Sequence, residues 1–273
     1  MSGARDYRLP RDALINARLR NAGLAPCCLA GEEMIFKPDL KEVILNTRPA
    51  DLIGYWPLDE QRNNRAHDYA GQRRNGTHVG VDLAKPGVGD GRTAPYYDGA
   101  TDYTNIYSAS LAAAFNGNEG TLGIFARVAG AGVWTDGTQR SLATLRVDAN
   151  NQIYVFRSPT NNRIDLRRVG GGTAKVVSLS GLRAVGWMLY TLTWSVRVDA
   201  VRAYLNGQQR ESTLTSIGTW VGALNSTLTN VGAFDTTPTF VWFGYLAHGF
   251  VYRSALSPSE NYNIALAAGL AAA

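Results

Sequence analysis

At 273 residues with a formal net charge of +5, the chain can hold one large or two small domains and bury a sizeable core. Charged residues make up only 18%, against 29 glycines, 13 tyrosines and 6 tryptophans, a turn-rich, aromatic composition that points to β structure and away from a helical protein. The basic charges are dispersed, almost all are arginine, and no nucleic-acid motif accompanies them, so RNA or DNA is not an expected partner.

Residues 1–50 differ from the rest and read as an arm. Residues 10–22 have the pattern of a short helix. Leu14, Ile15, Leu19 and Ala22 form its apolar face, and Gly23 is a suitable stop. Arg5, Arg8, Arg11, Arg18 and Arg20 lie in or beside it. Arginine makes planar, bidentate contacts with carboxylates, which suits subunit interfaces. Cys27 and Cys28 are adjacent, a geometry too strained for a mutual disulfide, and no zinc-type spacing exists. A short strand is expected over residues 42–46. The start MSGARDYRLPRD has no apolar core of a secretory signal. Nowhere is there a run of about 18 apolar residues to span a membrane. The expectation is a soluble protein made in the cytoplasm without a signal peptide.

From Leu52 onward the predicted elements are strands. Residues 52–60, LIGYWPLDE, form an apolar strand stopped by Pro57. Asn75-Gly76 marks a tight turn in the polar loop that follows. A Gly-rich loop at 87–92 leads into APYYDGATDYTNI, turned by Asp98-Gly99. Residues 120–128 alternate Leu122, Ile124 and Ala126 against Thr121, Gly123, Phe125 and Arg127. Strands 141–147 and 152–157 are joined by a short connection, and 163–169 and 173–179 flank three glycines.

The clearest pattern is GWMLYTLTWSVRVDAVRAYLNGQQ, residues 186–209. Met188, Tyr190, Leu192, Trp194 and Val196 share one face, and Val201, Ala203 and Leu205 share one face of the next strand. Asn206-Gly207 is type I′ hairpin chemistry. Strands at 230–234 and 240–252 follow. Ser257-Pro258-Ser259-Glu260 then opens a last helix over 258–268, with Ser257 as cap and Glu260 as its reciprocal partner. Many short strands with frequent turns imply a sandwich or jelly roll.

Taken in order, these segments resemble the laminin-G-like branch of the concanavalin A-like lectin/glucanase superfamily. The likeness rests on LIGYWPLDE, on HDYAGQRRNGTHVG, on GRTAPYYDGATDYTNI and on TLGIFARV. It continues in Trp187, Thr193, Tyr204, Asn206 and Gly207, and in FGYLAHGFVYRSALSPSE, and covers about residues 52–266. It implies an all-β fold, a two-sheet antiparallel jelly-roll sandwich over residues 51–273, with the arm before it and a short C-terminal helix closing it. It also implies ligands at a concave face or its edge loops.

Glucan-cleaving members carry a Glu-x-Asp-x-x-Glu strand whose carboxylates act as nucleophile and acid. The seven glutamates here stand in no such pattern, and His67, His78 and His248 show no zinc or triad spacing. No catalytic residue is expected. Calcium is the one cofactor the resemblance offers, through Asp68, Asp98 and Asp102. The closing strand reads Gly244-Tyr245-Leu246-Ala247 where relatives have an aspartate, which removes a ligand. For sugar binding, flat aromatics with polar neighbours are needed. The candidates are Trp134 with Asp136 and Gln139, and Trp220. The alternative for each tryptophan is packing under its own loop. Trp56, Trp187 and Trp194 are assigned to the core.

The expected function is a non-enzymatic structural or adhesion protein, a phage virion component of head or tail. Its jelly roll would be anchored by Arg5, Arg8, Arg11, Leu14, Ile15, Arg18 and Leu19. The partners would be virion subunits, other copies in a homo-oligomer, and cell-surface glycans. The expected location is a virion or other extracellular surface assembly. The alternatives are a free carbohydrate-binding lectin module and a glycan-processing enzyme.

Overall fold

The computed structural model describes residues 24–25 and 37–271. The helix expected at 10–22, the cysteine pair and the assembly residues Arg5, Arg8, Arg11, Leu14, Ile15, Arg18 and Leu19 lie outside the described residues. A two-residue ladder, β1 (Leu24–Ala25) with β2 (Lys37–Pro38), comes first.

Where a strand was expected over 42–46, the structure has a helix, α1 (Leu40–Asn46). Asp39 explains the difference. Its carboxylate accepts the backbone N–H groups of Lys41 and Glu42 at 2.8 and 3.4 Å, satisfying donors a helix start leaves open. Leu40 and Ile44, four residues apart, then share a face and are fully buried. β-Favouring side chains in the EVILN run yield to the cap and to that buried face.

The strands follow in chain order: β3 (Leu52–Trp56), β4 (Arg65–Ala66), β5 (Gly76–Val79), β6 (Asp82–Pro86), β7 (Thr93–Asp98) and β8 (Tyr103–Asn105). After helix α2 (Ala109–Ala114) come β9 (Glu119–Val128), a 3₁₀ turn at Ala131–Trp134, β10 (Arg140–Arg146), β11 (Gln152–Arg157), β12 (Ile164–Gly170) and β13 (Thr173–Leu179). Then follow β14 (Met188–Ser195), β15 (Ala200–Leu205), β16 (Gln208–Leu214), β17 (Thr229–Val231), β18 (Phe243–Tyr252) and helix α3 (Pro258–Ala267).

They form two antiparallel sheets. Sheet one runs β13-β12-β11-β10-β17-β8-β5-β4, and sheet two runs β16-β15-β14-β9-β18-β7-β6 with β3 also paired to β18. Neighbours distant in sequence, such as β9 beside β18, give the crossing connections of a jelly roll. The all-β sandwich with a closing helix is the fold the sequence implied. In the Asn206-Gly207 turn both residues have positive φ, 51° and 78°, as a type I′ hairpin requires. At α3 the Ser257 side chain accepts the N–H of Glu260, and the Glu260 carboxylate accepts the N–H of Ser257.

Between the sheets, Trp56, Leu122, Ile124, Tyr190, Leu192 and Trp194 meet Leu145, Ile153, Val155, Ile164, Leu166 and Val177. Burying each large side chain stabilises by roughly 1.5–3 kcal/mol. A second cluster lies on the other face of sheet two. There Phe125, Leu189, Ala247 and Phe250 are covered by Leu40 and Ile44 of α1 and Ile264 and Ala265 of α3. The Tyr252 hydroxyl donates to the Ile44 carbonyl at 2.6 Å, joining helix to sheet.

Candidate functional site

Beyond the helices, one row of side chains on the outer face of sheet two stays open. In β9, Leu122, Ile124 and Ala126 point into the core, so Arg127 points outward. Tyr245 of β18 is the direct partner of Arg127 on one side and of Tyr96 of β7 on the other. Met188 is the partner of Ala126, so Trp187, one residue earlier, stands beside Arg127. The strand register thus sets Tyr96, Tyr245, Arg127 and Trp187 side by side across four neighbouring strands.

Each of these residues is half-buried, as is Phe243. The Arg127 guanidinium sits 3.9 Å from the Tyr245 ring centroid and 5.5 Å from that of Trp187. Tyr96 lies 5.1 Å from Tyr245 and 6.2 Å from Phe243, both centroid to centroid. Burial and the neighbouring Tyr245 raise the pKa of Tyr96, so its hydroxyl stays protonated. The Nε of Arg127 and the Nε1 of Trp187 have no hydrogen-bond partner among the described residues. Both atoms are themselves buried, so what the row offers a ligand is the faces and edges of its rings, a surface that suits a sugar's C–H faces.

A cleft opens at the Phe243 end of the row. It has a volume of about 430 Å³ and is lined by Ala129, Gly130, Gly132, Val133, Asp136 and Phe243. A second cleft of about 450 Å³ shares Gly132 and is lined also by Trp134, Thr135, Asn162 and Arg183. Cβ atoms built on Gly130 or Gly132 would meet nothing within 4 Å, so space lies directly over the 3₁₀ turn.

The sugar-binding residues expected from sequence divide between this region and the interior. Trp134 lines the second cleft but is only 3% exposed. Its Nε1 donates to the Ala184 carbonyl at 2.9 Å, bracing the turn from beneath. Asp136 lines the first cleft and joins Arg140 Nη2 at 2.9 Å to Arg157 Nη1 at 3.1 Å, which commits its carboxylate to structure. Gln139 donates to the Tyr154 hydroxyl at 3.1 Å on the other sheet's outer face. Trp220 lies elsewhere, buried against Phe115 with its Nε1 on the Gly222 carbonyl at 3.0 Å. Neither indole offers an open ring face. Trp187, assigned to the core from sequence, packs against the second cluster but is only half-buried, at its margin on the outer face of sheet two.

The three carboxylates proposed for calcium form no set. Asp68 accepts backbone N–H groups from Tyr55, Ala70 and Arg74 at 3.0, 2.9 and 3.0 Å. Asp98 accepts those of Ala100 and Thr101 at 2.8 and 2.9 Å, and Asp102 accepts that of Asp98 at 2.9 Å. These oxygens are spent on folding their own loops. Among the described residues no group of three or more His, Cys, Asp or Glu is arranged to hold a metal ion, so the residues do not fit calcium.

The histidines serve the interior. His78 Nε2 lies 3.1 Å from Glu60 Oε2, and its Nδ1 lies 2.8 Å from the Thr104 hydroxyl, which in turn meets the Tyr97 hydroxyl. Glu60 also holds the backbone N–H of His67 at 2.7 Å. Burial acts to raise the Glu60 pKa, but the bonds from His78 and His67 outweigh it and leave it lowered. His248 sits in a β-bulge with φ 46°. There it bonds the Tyr55 hydroxyl at 2.8 Å and faces Asp90 at 3.1 Å without hydrogen-bond alignment.

No family model matches this chain, and no curated protein matches it. Solved structures do share its fold. The botulinum neurotoxin serotype D binding domain aligns with a TM-score of 0.58 at 12% identity, over 81% of this chain and 52% of that one. Domain 4 of AbnA, a GH43 extracellular arabinanase from Geobacillus stearothermophilus in complex with arabinotriose, aligns at 0.54 and 16%, over 79% of this chain and 98% of that one. Trypanosoma rangeli sialidase in complex with sialic acid aligns at 0.57 and 10%, over 94% of this chain and 38% of that one. The chain spans about half the length of the neurotoxin binding-domain chain it matches. At these identities the likeness is one of fold: a β-sandwich of two antiparallel sheets.

Proposed function

We propose that this chain is a carbohydrate-binding module that holds glycan on the outer face of sheet two and performs no chemistry on it. The observation that carries this reading is the half-exposed row Tyr96, Tyr245, Arg127 and Trp187 across the outer face of sheet two. Rings 5.1–6.4 Å apart present apolar surface for a short stretch of oligosaccharide, and the cleft beside Phe243 extends that surface. Two of the proteins that share the fold are described with a sugar, arabinotriose in one and sialic acid in the other, which supports the same reading.

A glycan array probed with the whole protein and with Tyr245→Ala and Trp187→Ala tests it. Binding by the parent that both variants lose is expected. A parent that binds no glycan, or variants that bind as the parent does, would refute it.

The placement of this module on a virion or another homo-oligomeric surface assembly rests on the arginine-rich sequence of residues 1–50. Many displayed copies would compensate for weak single-site affinity. Mass determination of the oligomeric state, before and after removal of residues 1–36, tests that part. A strictly monomeric full chain would end it.

A further inference from the structure

Three connections meet at the rim of the sandwich beside the aromatic row. They are the turn after β9 (residues 129–139), the hairpin between β11 and β12 (158–163) and the crossing from β13 to β14 (180–187). Hydrogen bonds tie them to one another. The Asn162 N–H donates to the Trp134 carbonyl at 2.8 Å, and the Leu182 N–H donates to the Asn162 carbonyl at 2.9 Å. Trp134 Nε1 closes the ring of contacts on the Ala184 carbonyl at 2.9 Å. Each segment therefore holds the others in place around the cleft of about 450 Å³ lined by Gly132, Trp134, Thr135, Asn162 and Arg183. Sites for small ligands run to roughly 300–1,000 Å³, so this one has room for a sugar unit.

Arg183 differs from the other arginines of these segments. Arg163 holds both oxygens of Asp165, at 2.8 and 2.7 Å, and Arg140 shares Asp136 with Arg157. Arg183 lines the cleft and is exposed, with neither an ion pair nor a hydrogen bond among the described residues. Its charge is solvated, so an incoming anion has only to displace water. Asn162, half-buried, commits its backbone to the neighbouring connections and leaves its side-chain amide unpaired among the described residues. The exposed Thr135 hydroxyl donates to the Gly132 carbonyl at 3.4 Å, which leaves its oxygen as an acceptor. No carboxylate lines this cleft. A guanidinium and an amide that donate, with a hydroxyl that accepts, match an oxyanion carried on a hydroxylated ring.

We propose that this cleft gives the glycan site a preference for charge: it takes an acidic sugar, with the oxyanion on the Arg183 fork in the bidentate geometry that arginine favours. The inference rests on the reading of the row as a glycan-binding surface and names the class of glycan. Row and cleft are continuous along the chain and in space. Trp187 closes the connection that carries Arg183, and Arg127 stands two residues before the turn that carries Gly132 and Thr135. The cleft beside Phe243 shares Gly132 with this one. A saccharide laid on the rings would thus reach the cleft with its next unit. A carboxylate and a sulfate present the same chemistry to Arg183.

The test is isothermal titration of the full-length protein with paired probes that differ in charge: trigalacturonate against its methyl ester, and sulfated lactose against lactose. The variants are Arg183→Gln, Gly132→Leu and Tyr245→Ala, each with its melting temperature measured. A Cβ at Gly132 meets nothing within 4 Å, and its backbone lies outside the left-handed region, so a leucine there fills the cleft without strain. The parent should bind the charged member of at least one pair about fivefold or more tightly, an advantage that added salt reduces. The pair that shows it tells carboxylate from sulfate. Arg183→Gln should bind both members alike, Gly132→Leu should lose the charged one, and Tyr245→Ala should lose both. The proposal is overturned by a parent without preference in either pair, by a preference that survives Arg183→Gln, or by undiminished charged binding in Gly132→Leu. A parent that captures glycans on the array yet shows no preference would leave the row standing. Charged binding lost in Arg183→Gln but kept in Tyr245→Ala would refute the row and leave the cleft.

Discussion

Arg127 and Tyr245 are direct cross-strand partners at the centre of sheet two, and the guanidinium of one lies 3.9 Å from the ring centroid of the other. The pair is half-buried, and it stands where the cover supplied by α1 and α3 ends. A cation over an aromatic ring contributes about 0.5–1 kcal/mol at such a site. Arg127→Met keeps the aliphatic packing and removes the charge. It should cost less than about 1 kcal/mol in chemical denaturation while weakening glycan binding by several-fold. Equal affinity for glycan in the variant would remove Arg127 from the site.

Trp187 and Trp194 lie on the same short segment and should behave in opposite ways. Trp194 is fully buried in the main core, so Trp194→Ala should destabilise by about 3–5 kcal/mol. Trp187 is half-buried on the outer face, so Trp187→Ala should destabilise far less and abolish glycan capture. Urea titration and the glycan array together read both effects.

Two glycines offer a similar contrast. A Cβ at Gly123 of β9 would overlap the Phe250 ring, whereas one at Gly130 beside the cleft would meet nothing within 4 Å. Gly123→Ala should lower stability by about 1–3 kcal/mol through overpacking. Gly130→Ala should leave the melting temperature almost unchanged.

Acid should loosen the sandwich partly through Glu60. Its folded-state pKa is lowered from the ordinary 4.5, because the bonds from His78 and His67 outweigh the effect of burial. A carboxyl depressed in the folded state binds its proton more readily in the unfolded chain. Its contribution is therefore complete above 4.5 and is lost as pH falls through the lower folded value. Melting temperature should drop as pH is taken below 4.5, and Glu60→Gln should be less stable at neutral pH with a shallower acid dependence. A variant with the parent's full acid dependence would assign the loss to other carboxylates.

Helix α3 depends on its start. Ser257→Ala removes the acceptor for the Glu260 N–H and should cost about 1 kcal/mol. Glu260→Ala should cost somewhat more, because it also releases Arg48, whose Nε lies 2.6 Å from the carboxylate. Since α3 covers Phe125 and Leu189, both variants should speed hydrogen exchange at the centre of sheet two.

Much of the sandwich was legible because strand alternation is a local property. Tyr190, Leu192 and Trp194 announce a buried face by spacing alone, Asn206-Gly207 announces its turn by positive φ, and Ser257 with Glu260 announces a helix start. Several elements escaped, among them the short strands β4, β5 and β6 and helix α2, and two of the others show why. Helix α1 was hidden because EVILN favours a strand until Asp39 caps it. Strand β16 was hidden because its residues Gln208–Leu214 are polar and largely exposed, held by pairing with β15 rather than by an apolar face.

The candidate site was less legible, for a physical reason. The chain alone determined which residues alternate, where it turns and which loops carry aspartates. Asp68, Asp98 and Asp102 looked like cation ligands because a loop aspartate that caps backbone N–H groups and one that binds metal have the same local sequence. Trp187 and Trp194 sit on one strand segment with similar surroundings in sequence. Only the tertiary structure put Trp194 between the sheets and left Trp187 half-buried at the edge of the helix-covered cluster, next to Arg127 and Tyr245 from strands far away in the chain. Alternation decides which face a side chain takes, and long-range packing decides whether that face is covered.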